Sequence, residues 1–457
     1  MDPKDLQQFQ EIVQLILTEE RDHPVATPVS VEELSDAVDL TLQDDPISDE
    51  AFYNAFQTLV KKTPKTASSS FFNQLVGGRR SRALLGDLVA SVLNNSMYTY
   101  KVAGPMVGVE REIVHTLAKM LGYSKEASGT IASGGSMSNF MAMVLGRDAK
   151  SNSTQDGVTH QMMLYTSEAS HYSVAKNASL MGIGKKQVRF IPTNDLGEMK
   201  MDLLEAAILE DLENDKLPFF VNVTSGTTVL GAFDSIAEAS KICKKHQLWL
   251  HVDGAYCGSV IFSEKYKHFL KGVEHSDSFS LSAHKMLGTP LTCSVFVTPH
   301  KQQLFESFSS DASYLFQSEK EDFNPGKSSF QCGRRNDALK LWTLWKSIGT
   351  KGLETLVNHQ FELAEIARTY IRSNKDYTLY SFDDSISICF NYKNIPAKIL
   401  SKELYMHSKL MVSHGSFKDQ HFIRLVTINS DNTEKEIIDF FKTIEQFVSE
   451  NTLILQH

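Results

Sequence analysis

The chain has 457 residues, enough for a sizeable hydrophobic core and for two or three structural units. Its composition, 42% hydrophobic and 22% charged, excludes an intrinsically disordered protein, and its formal net charge of −9 argues against a broad surface for nucleic acid or anionic membranes. No apolar stretch reaches about 18 residues, so we expect no transmembrane helix, and the acidic amphipathic start does not resemble a signal peptide. The five cysteines form no CxxC pair, which predicts buried thiols in a reduced, cytoplasmic protein without a metal site.

Residues 1–60 are predicted to be mostly helical, because apolar residues recur there at helical spacing. From about residue 82 to 330, helical stretches alternate with short apolar runs, a pattern typical of a mainly parallel sheet covered by helices. The strand-like runs are residues 161–167, 188–192, 218–225, 248–256, 278–283 and 293–298. After about residue 340, helices and short strands alternate, which indicates a smaller α+β domain. We therefore predict an N-terminal helical segment, a large domain and a small C-terminal domain, with the boundaries 1–60, 61–340 and 341–457.

Two polar motifs stand at predicted helix starts. The stretch IASGGSMSNF, residues 131–140, places two glycines and several hydroxyl groups before a helical run. Such a helix start is an anion site when its backbone N–H groups face a ligand, and otherwise a flexible turn with a serine cap. His171 follows a strand-like run and opens another helix; it is either a cap or a ring that stacks on a flat cofactor.

Two charged residues stand where predicted strands end. Asp253 closes the run LWLHVDGAY and, if buried, needs a cationic or hydrogen-bonding partner, which is either an internal one or a protonated ring nitrogen. Lys285 follows SFSLSAH among small and apolar residues, where it is either a solvated loop lysine or a nucleophilic amine. Because parallel strands place their ligands at their carboxyl ends, we expect both residues at one edge of the sheet.

One ligand uses all four features, namely pyridoxal phosphate. Its aldehyde needs an amine, its pyridine nitrogen needs a carboxylate, its phosphate needs an anion cradle, and its ring needs a flat partner. The carboxylate keeps the pyridine protonated, so that the ring withdraws the electrons left at Cα when a bond breaks. The four features in this order therefore indicate a pyridoxal-phosphate enzyme.

With these residues in hand, the sequence resembles the pyridoxal-phosphate-dependent group II amino-acid decarboxylases, above all the cysteine sulfinate and glutamate decarboxylases. The resemblance covers the chain from about Phe71 to Phe441. It is carried by the colinear segments FFNQL, MYTY, SGGSMSN, HYSV, VTSGTTVLGAFD, HVDGAY, HKML, YLFQ, QCGRRNDALKLWTLWKSIG and FIRLV.

The resemblance implies an α/β fold of the aspartate-aminotransferase type (fold type I), with a mainly parallel sheet of seven strands and a small α+β C-terminal domain. It implies a homodimer whose active sites are built from both subunits. Lys285 would bind the cofactor covalently, Asp253 would hold its pyridine nitrogen, and His171 would stack on its ring. Further cofactor contacts are implied for Ser136, Met137, Thr224, Ala255, Ser282 and His284. Substrate contacts are implied for Arg424, Gln74, Ser96 and Tyr98.

The substrate expected from the resemblance is an acidic amino acid. An aromatic substrate would leave the charge of Arg424 unpaired in the pocket, which is costly. Ser96 and Tyr98 stand where glutamate decarboxylases usually carry Asn and Phe, and cysteine sulfinate decarboxylases look like this sequence there. The larger Tyr98 should shorten the pocket. We therefore expect cysteine sulfinate or aspartate, ahead of glutamate, to lose CO₂ and give hypotaurine, β-alanine or GABA respectively.

The loop at residues 316–334 departs from the family pattern. It is shorter than in the relatives, and the tyrosine thought to reprotonate Cα in several of them has no counterpart here; Phe323 is the nearest aromatic residue. Two alternatives to a plain decarboxylase therefore stay open. One is a decarboxylation-coupled aldehyde synthase, and the other is a catalytically silent dimeric homologue that acts as a binding protein.

Overall fold

A computed structural model of the chain describes residues 2–310 and 321–451. The chain forms two compact units. The central unit is Arg79–Phe361, and the terminal unit combines Met1–Gly78 with Glu362–His457. The predicted division at residues 60 and 340 stays a prediction, because packing within one chain does not establish which segments fold on their own.

The helices and strands are numbered in chain order. The helices are α1 (Pro3–Asp22), α2 (Leu34–Ala37), α3 (Asp49–Lys62), α4 (Ser81–Leu93), α5 (Tyr100–Ala103), α6 (Met106–Met120), α7 (Gly135–Lys150), α8 (Ser153–Asp156), α9 (Ser173–Leu180), α10 (Met201–Glu213), α11 (Ile236–His246), α12 (Lys301–Phe308), α13 (Ala338–Ser373), α14 (Ala397–Met406) and α15 (Glu434–Glu450). The strands are β1 (Phe71–Phe72), β2 (Ser128–Ala132), β3 (Met162–Ser167), β4 (Val188–Ile191), β5 (Leu217–Thr224), β6 (Trp249–Gly254), β7 (Ser278–Ser282), β8 (Ser294–Thr298), β9 (Tyr377–Leu379), β10 (Ser387–Tyr392), β11 (Met411–Phe417) and β12 (Gln420–Val426).

The central unit is built on a seven-stranded sheet of order β2-β8-β7-β6-β5-β3-β4. Strands β7, β6, β5, β3 and β4 run parallel, and β8 pairs antiparallel with both of its neighbours. All residues of β3, β6, β7 and β8 are buried, as a sheet covered on both faces requires. The predicted α/β class with a mainly parallel sheet of seven strands is confirmed.

The terminal unit contains a five-stranded sheet of order β1-β11-β12-β10-β9. Its strands are antiparallel except for β1, which pairs parallel with β11. Helix α15 buries Ile437, Phe440, Phe441, Ile444 and Phe447 in the core of this unit, at the spacing expected for one face of a helix. The small α+β unit that the sequence predicts is therefore present, and the strand at residues 71–72 belongs to its sheet.

Three further expectations concern cysteine, metal and membrane. All five cysteines are free, and four of them are buried, Cys332 being exposed. Within residues 2–310 and 321–451, no helix combines the length and the apolar character needed to cross a membrane. The same residues contain no group of three or more His, Cys, Asp or Glu side chains able to hold a metal ion.

Candidate active site

A cavity of about 420 Å³ opens at the carboxyl ends of β5, β6 and β7. Parallel strands with helical crossovers place ligands at this edge, because the loops that follow the strands diverge there. Eight of the residues selected from the sequence line the cavity together: Ser136, Met137, His171, Thr224, Asp253, Ala255, His284 and Lys285.

One wall of the cavity is the start of α7. Gly134, which precedes the helix, has a φ of 146°, a conformation that favours glycine. A Cβ atom at Gly135 would lie 2.8 Å from the Cβ atom of Ala255 and 3.5 Å from the Oγ atom of Ser282, so a side chain there would fill the space between helix and sheet. The two glycines thus leave the first backbone N–H groups of a 16-residue helix beside the cavity, which is the arrangement of an anion-binding helix start.

Asp253 lies on β6 with 4% of its surface exposed. Its Oδ2 atom accepts a hydrogen bond of 2.8 Å from the Nδ2 atom of Asn139, and its Oδ1 atom accepts one of 3.0 Å from the backbone N–H of Ala255. Both partners are donors, which favours the ionised carboxylate. The site therefore contains a buried anion held in place by two neutral groups.

His171 lies in the segment between β3 and α9, partly buried. Its Nδ1 atom lies 2.8 Å from the Oγ atom of Ser173 and accepts the backbone N–H of Ser173 at 3.2 Å. Burial lowers the pKa of His171; the Asp253 carboxylate opposes this shift and the Lys285 ammonium adds to it. A neutral imidazole whose Nδ1 atom accepts a backbone N–H carries its proton on Nε2.

Lys285 follows β7 in a tight turn, in which its backbone N–H bonds the carbonyl of Ser282 at 3.0 Å. Strands β6 and β7 pair with Asp253 opposite Ser280, so both charged residues come to one edge of the sheet, as expected from the sequence. His284 is buried next to Lys285, with its Nδ1 atom 3.0 Å from both the nitrogen and the carbonyl oxygen of Cys293. Burial lowers the pKa of His284 to about 4, so this neighbour of Lys285 is neutral at neutral pH.

Residues 32–393 match the family model described as the pyridoxal-dependent decarboxylase conserved domain. The chain belongs to the pyridoxal-dependent decarboxylase family. The resemblance found in the sequence is thereby confirmed, together with its cofactor, pyridoxal 5'-phosphate.

Two relatives and one solved structure are similar to this decarboxylase over most of its length. It is 33% identical to the acidic amino acid decarboxylase GADL1 of Xenopus tropicalis over 438 residues, which is 90% of this chain and 84% of the relative. It is 35% identical to the cysteine sulfinic acid decarboxylase of Mus musculus over 381 residues, 81% of this chain and 76% of the relative. The crystal structure of mouse CSAD matches its fold with a TM-score of 0.91 at 30% identity, covering 97% of this chain and 99% of the other.

The residues of this decarboxylase fit pyridoxal phosphate on structural grounds. Gly134 and Gly135 at the start of α7 form a glycine cradle, in which a Cβ atom at Gly135 would fill the space. The Asp253 carboxylate, held by two donors, lies at the end of β6, and the partly buried Lys285 lies at the end of β7. These groups match the phosphate, the ring nitrogen and the aldehyde respectively.

Five of the selected residues do not line this cavity of the decarboxylase. Ser282 is buried behind the glycine cradle. Ser96 accepts the backbone N–H of Arg334 at 3.3 Å, and the ring of Tyr98 packs so closely on Gly326 that a Cβ atom there would lie 2.3 Å from it.

Arg424 and Gln74 belong to the terminal unit. Arg424 is buried on β12 and its Nε atom donates to the Oγ atom of Ser413 at 3.2 Å, whereas Gln74 is exposed with a φ of 53°. The substrate roles of Arg424, Gln74, Ser96 and Tyr98 stay predictions.

The loop that departs from the family pattern lies partly outside the described residues, at positions 316–320. Phe323 is described, and its ring packs edge-on against Tyr100 at a centroid distance of 5.7 Å, with the Arg111 guanidinium 4.4 Å from the ring centroid. Phe323 is not among the described residues that line the cavity.

Several lining residues were missed in the sequence. They are Tyr172, Thr228, Tyr256, Thr292 and Asn139. Asn139 had a detectable signal, since it follows Ser136 by three residues on α7 and so shares its helix face. The others lie in loops or turns, where no periodicity marks an inward side chain.

Proposed function

We propose that this decarboxylase removes CO₂ from an acidic L-amino acid, with cysteine sulfinate or aspartate preferred over glutamate. The observation that carries the proposal is the gathering of Lys285, Asp253 and the glycine cradle around one cavity. The names of the relatives add support for an acidic substrate, because one is an acidic amino acid decarboxylase and another a cysteine sulfinic acid decarboxylase.

When bound, pyridoxal phosphate supplies an aldehyde and a ring that accepts the electron pair released at Cα. In the proposal, Lys285 provides the amine that holds the aldehyde, and the start of α7 holds the phosphate with backbone N–H groups. Asp253 keeps a proton on the ring nitrogen, because its carboxylate is fixed by Asn139 and Ala255 and is shielded from water. His171 would lie against the ring and present its Nε2–H.

Ser136, Met137, Thr224, Ala255, Ser282 and His284 complete the proposed cofactor contacts. Arg424 is proposed to bind the acidic group of the substrate side chain, since a guanidinium pairs with a carboxylate or sulfinate through two parallel hydrogen bonds. Gln74, Ser96 and Tyr98 are proposed to limit the length of that side chain.

We also propose that the enzyme is a cytoplasmic homodimer with shared active sites. Helix α4 exposes the apolar residues Leu85, Val89, Val92 and Leu93, which a second copy of the chain would cover. Analytical ultracentrifugation of the cofactor-loaded enzyme should give a species of about twice the chain mass of 51.2 kDa, and a monomer would contradict this part of the proposal. Cell fractionation tests the location.

A substrate panel tests the reaction. Purified enzyme is supplied with cysteine sulfinate, aspartate, glutamate and an aromatic amino acid, and CO₂ and amine are measured together with peroxide and ammonia. We expect the highest kcat/KM for a three-carbon acid and equal amounts of CO₂ and amine. A clear preference for glutamate contradicts the substrate, and aldehyde with peroxide and ammonia would favour the aldehyde-synthase alternative.

The position of the covalent bond tests the role of Lys285. The yellow holoenzyme is reduced with borohydride, digested and examined by mass spectrometry, with Lys285→Ala as the variant. Lys271→Ala is the matched control, because Lys271 is an exposed lysine of the same unit. We expect the adduct on Lys285 in the wild type and in the control, and no colour or turnover in Lys285→Ala. An adduct elsewhere, or none, contradicts the proposal and would favour a silent binding protein.

A further inference from the structure

A chain of buried hydrogen bonds links residues of β6 and β7 to Asn139 on α7, which lines the cavity. The indole Nε1–H of Trp249 donates to the Oγ atom of Ser278 at 2.9 Å, and the same oxygen lies 2.9 Å from the Nδ1 atom of His251. The Nε2 atom of His251 lies 3.1 Å from the Oδ1 atom of Asn139. Ser278 and His251 have no exposed surface and Asn139 has 2%, so water does not replace any of these bonds.

At Asn139 the chain of hydrogen bonds divides into two branches. Its Nδ2 atom donates to the Oδ2 atom of Asp253 at 2.8 Å and to the Oγ atom of Ser173 at 3.1 Å. The Oγ atom of Ser173 in turn lies 2.8 Å from the Nδ1 atom of His171. One amide group thus contacts the carboxylate at the end of β6 and, through one hydroxyl, the imidazole at the cavity wall.

The charge of Asp253 fixes the direction of the first branch. An ionised carboxylate only accepts, so the amide nitrogen of Asn139 must face it and the amide oxygen must face His251. His251 therefore carries a proton on Nε2. Burial lowers the pKa of His251 to about 4, so the ring is neutral and its Nδ1 atom accepts the hydroxyl proton of Ser278. The Oγ atom of Ser278 can then accept the Nε1–H of Trp249, so each polar group of this branch has a hydrogen-bond partner.

The orientation of the Asn139 amide also fixes the second branch. The second proton of the Asn139 amide occupies the Oγ atom of Ser173, whose own proton then points to the Nδ1 atom of His171. The backbone N–H of Ser173 donates to the same nitrogen. Two donors therefore hold the Nδ1 atom of His171 as an acceptor, and the one from the Ser173 hydroxyl depends on Asn139 keeping its amide nitrogen toward Asp253.

We propose that Asn139 is a positioning residue that couples the carboxylate of Asp253 to the orientation of His171. The inference rests on the cofactor roles proposed for those two residues and assigns the junction between them. Asn139 touches neither reacting atoms nor substrate in this proposal; it acts by holding both side chains in one pattern of hydrogen bonds.

Two substitutions at position 139 separate this role from simple packing. Asn139→Ala removes a hydrogen bond to a charged group, and we expect the apoenzyme to bind pyridoxal phosphate about 10- to 100-fold more weakly. Asn139→Asp keeps the shape but places a second carboxyl beside Asp253, and the repulsion raises the pKa of one of the two. Once protonated, Asp at 139 donates to Asp253 and accepts from His251, so its cofactor affinity should recover as the pH falls.

The measurement is the ratio of variant to wild-type dissociation constants for pyridoxal phosphate, taken by equilibrium dialysis from about pH 5.5 to 8.5. The titratable groups around position 139 are Asp253, His251, His171 and Lys285. Their effect on cofactor binding is common to variant and wild type, so it cancels when one dissociation constant is divided by the other. We expect the ratio for Asn139→Asp to fall toward 1 at low pH and that for Asn139→Ala to stay high. Tyr165→Phe is the matched control, because it removes a buried 2.9 Å hydrogen bond to the Asp211 carboxylate away from the cavity. Its ratio should stay within about twofold of 1.

Substitutions at position 251 test the chain one step further away. His251→Gln retains an N–H donor toward Asn139, whereas His251→Leu has none and frees the amide to rotate. We expect His251→Gln to keep most of the wild-type affinity and the wild-type ¹⁵N shift of His171 Nδ1 in histidine-labelled protein, because the hydrogen bond from the Ser173 hydroxyl is kept. We expect His251→Leu to lose the affinity and to change that shift.

Three outcomes have different meanings. If the wild-type apoenzyme does not bind pyridoxal phosphate, the proposed function itself fails. If the wild type binds and Asn139→Ala stays within about twofold of it, the coupling is refuted and the function stands. If Asn139→Ala does not fold, two other results refute the coupling in the same way. One is a ratio for Asn139→Asp that does not change with pH, and the other is equal cofactor affinity of the two variants at position 251.

Discussion

The substitution Gly135→Ala tests whether the glycine cradle is as tight as the structure indicates. The added Cβ atom would lie 2.8 Å from that of Ala255, whereas carbon atoms in contact normally stand about 3.5–4.0 Å apart, so helix and sheet must separate by about 1 Å. Such overpacking costs about 1–3 kcal/mol, which corresponds to roughly 5- to 150-fold in cofactor affinity if it falls on the bound state. A shift of this size also stretches the 2.8 Å bond from Asn139, on α7, to Asp253, on β6, beyond hydrogen-bond length.

Titration of the apoenzyme with pyridoxal phosphate, followed by absorbance, measures the effect, and urea unfolding of the same samples reports stability. Gly108→Ala is the matched control, because Gly108 lies exposed on α6 and its added Cβ atom would meet no atom within 4 Å. Alanine is the better helix former by about 1 kcal/mol, so the control should be as stable as the wild type or more so. If Gly135→Ala binds the cofactor within about twofold of the wild type at an unchanged urea midpoint, the steric reasoning is wrong.

Three further predictions follow from buried charges. Glu110→Ala leaves Arg334 buried without its 2.8 Å partner and should cost about 3–5 kcal/mol in urea unfolding. Lys435→Ala, which breaks an exposed ion pair, should leave the urea midpoint almost unchanged, and equal losses for the two variants would contradict this. Burial raises the pKa of Asp234 to about 7, so the folded state holds a proton that an unfolded carboxyl releases near pH 4. The free energy of unfolding should therefore fall as pH rises from about 4 to 7, by up to ~1.4 kcal/mol per pH unit. Asp234→Asn should reduce this slope in urea unfolding, and an unchanged slope would refute the raised pKa of Asp234. Arg424→Gln should raise KM for the acidic substrate about 10-fold or more, through the loss of a charged partner, without changing the dissociation constant of pyridoxal phosphate; a constant KM would remove Arg424 from the substrate site.

The parallel part of the central sheet was predictable because of its burial. The run at 218–225 is largely apolar, as in a strand covered on both faces, and coincides closely with β5 (Leu217–Thr224). The run at 278–283 alternates serine with apolar residues, which is the period of a strand, and coincides with β7 (Ser278–Ser282). The carboxyl ends of the runs at 248–256 and 278–283 then placed Asp253 and Lys285 at one edge of the sheet. Backbone direction and hydrophobicity were sufficient for both conclusions.

Other elements left no local signal. Strand β1 has two residues, and its pairing with Met411 and Val412 depends on a segment far along the chain. Strand β2 begins with Ser128 and Gly129, which are typical of a loop, and becomes a strand because it pairs with β8. Tertiary pairing decided both cases, and periodicity could not reveal it.

Buried polar residues were the hardest part of the site to predict. Asn139 shares a helix face with Ser136, but this spacing does not reveal that its amide bonds a buried carboxylate. Its importance comes from four atoms that the fold brings within 3.1 Å of its amide or of the hydroxyl next to it. The charged residues of the site could be found because charge at a strand end is rare, whereas an asparagine in a helix is common.

The pairing of β1 with β11 has a consequence for how the protein is made. The central unit is one continuous segment, Arg79–Phe361, and can begin to fold as soon as that segment leaves the ribosome. Phe71 and Phe72 emerge earlier but must wait for residues 411–412, and such long-range closure is slow. During synthesis these two phenylalanines are therefore unpaired hydrophobic side chains, and a ribosome stalled shortly after residue 361 would leave them available to chaperones.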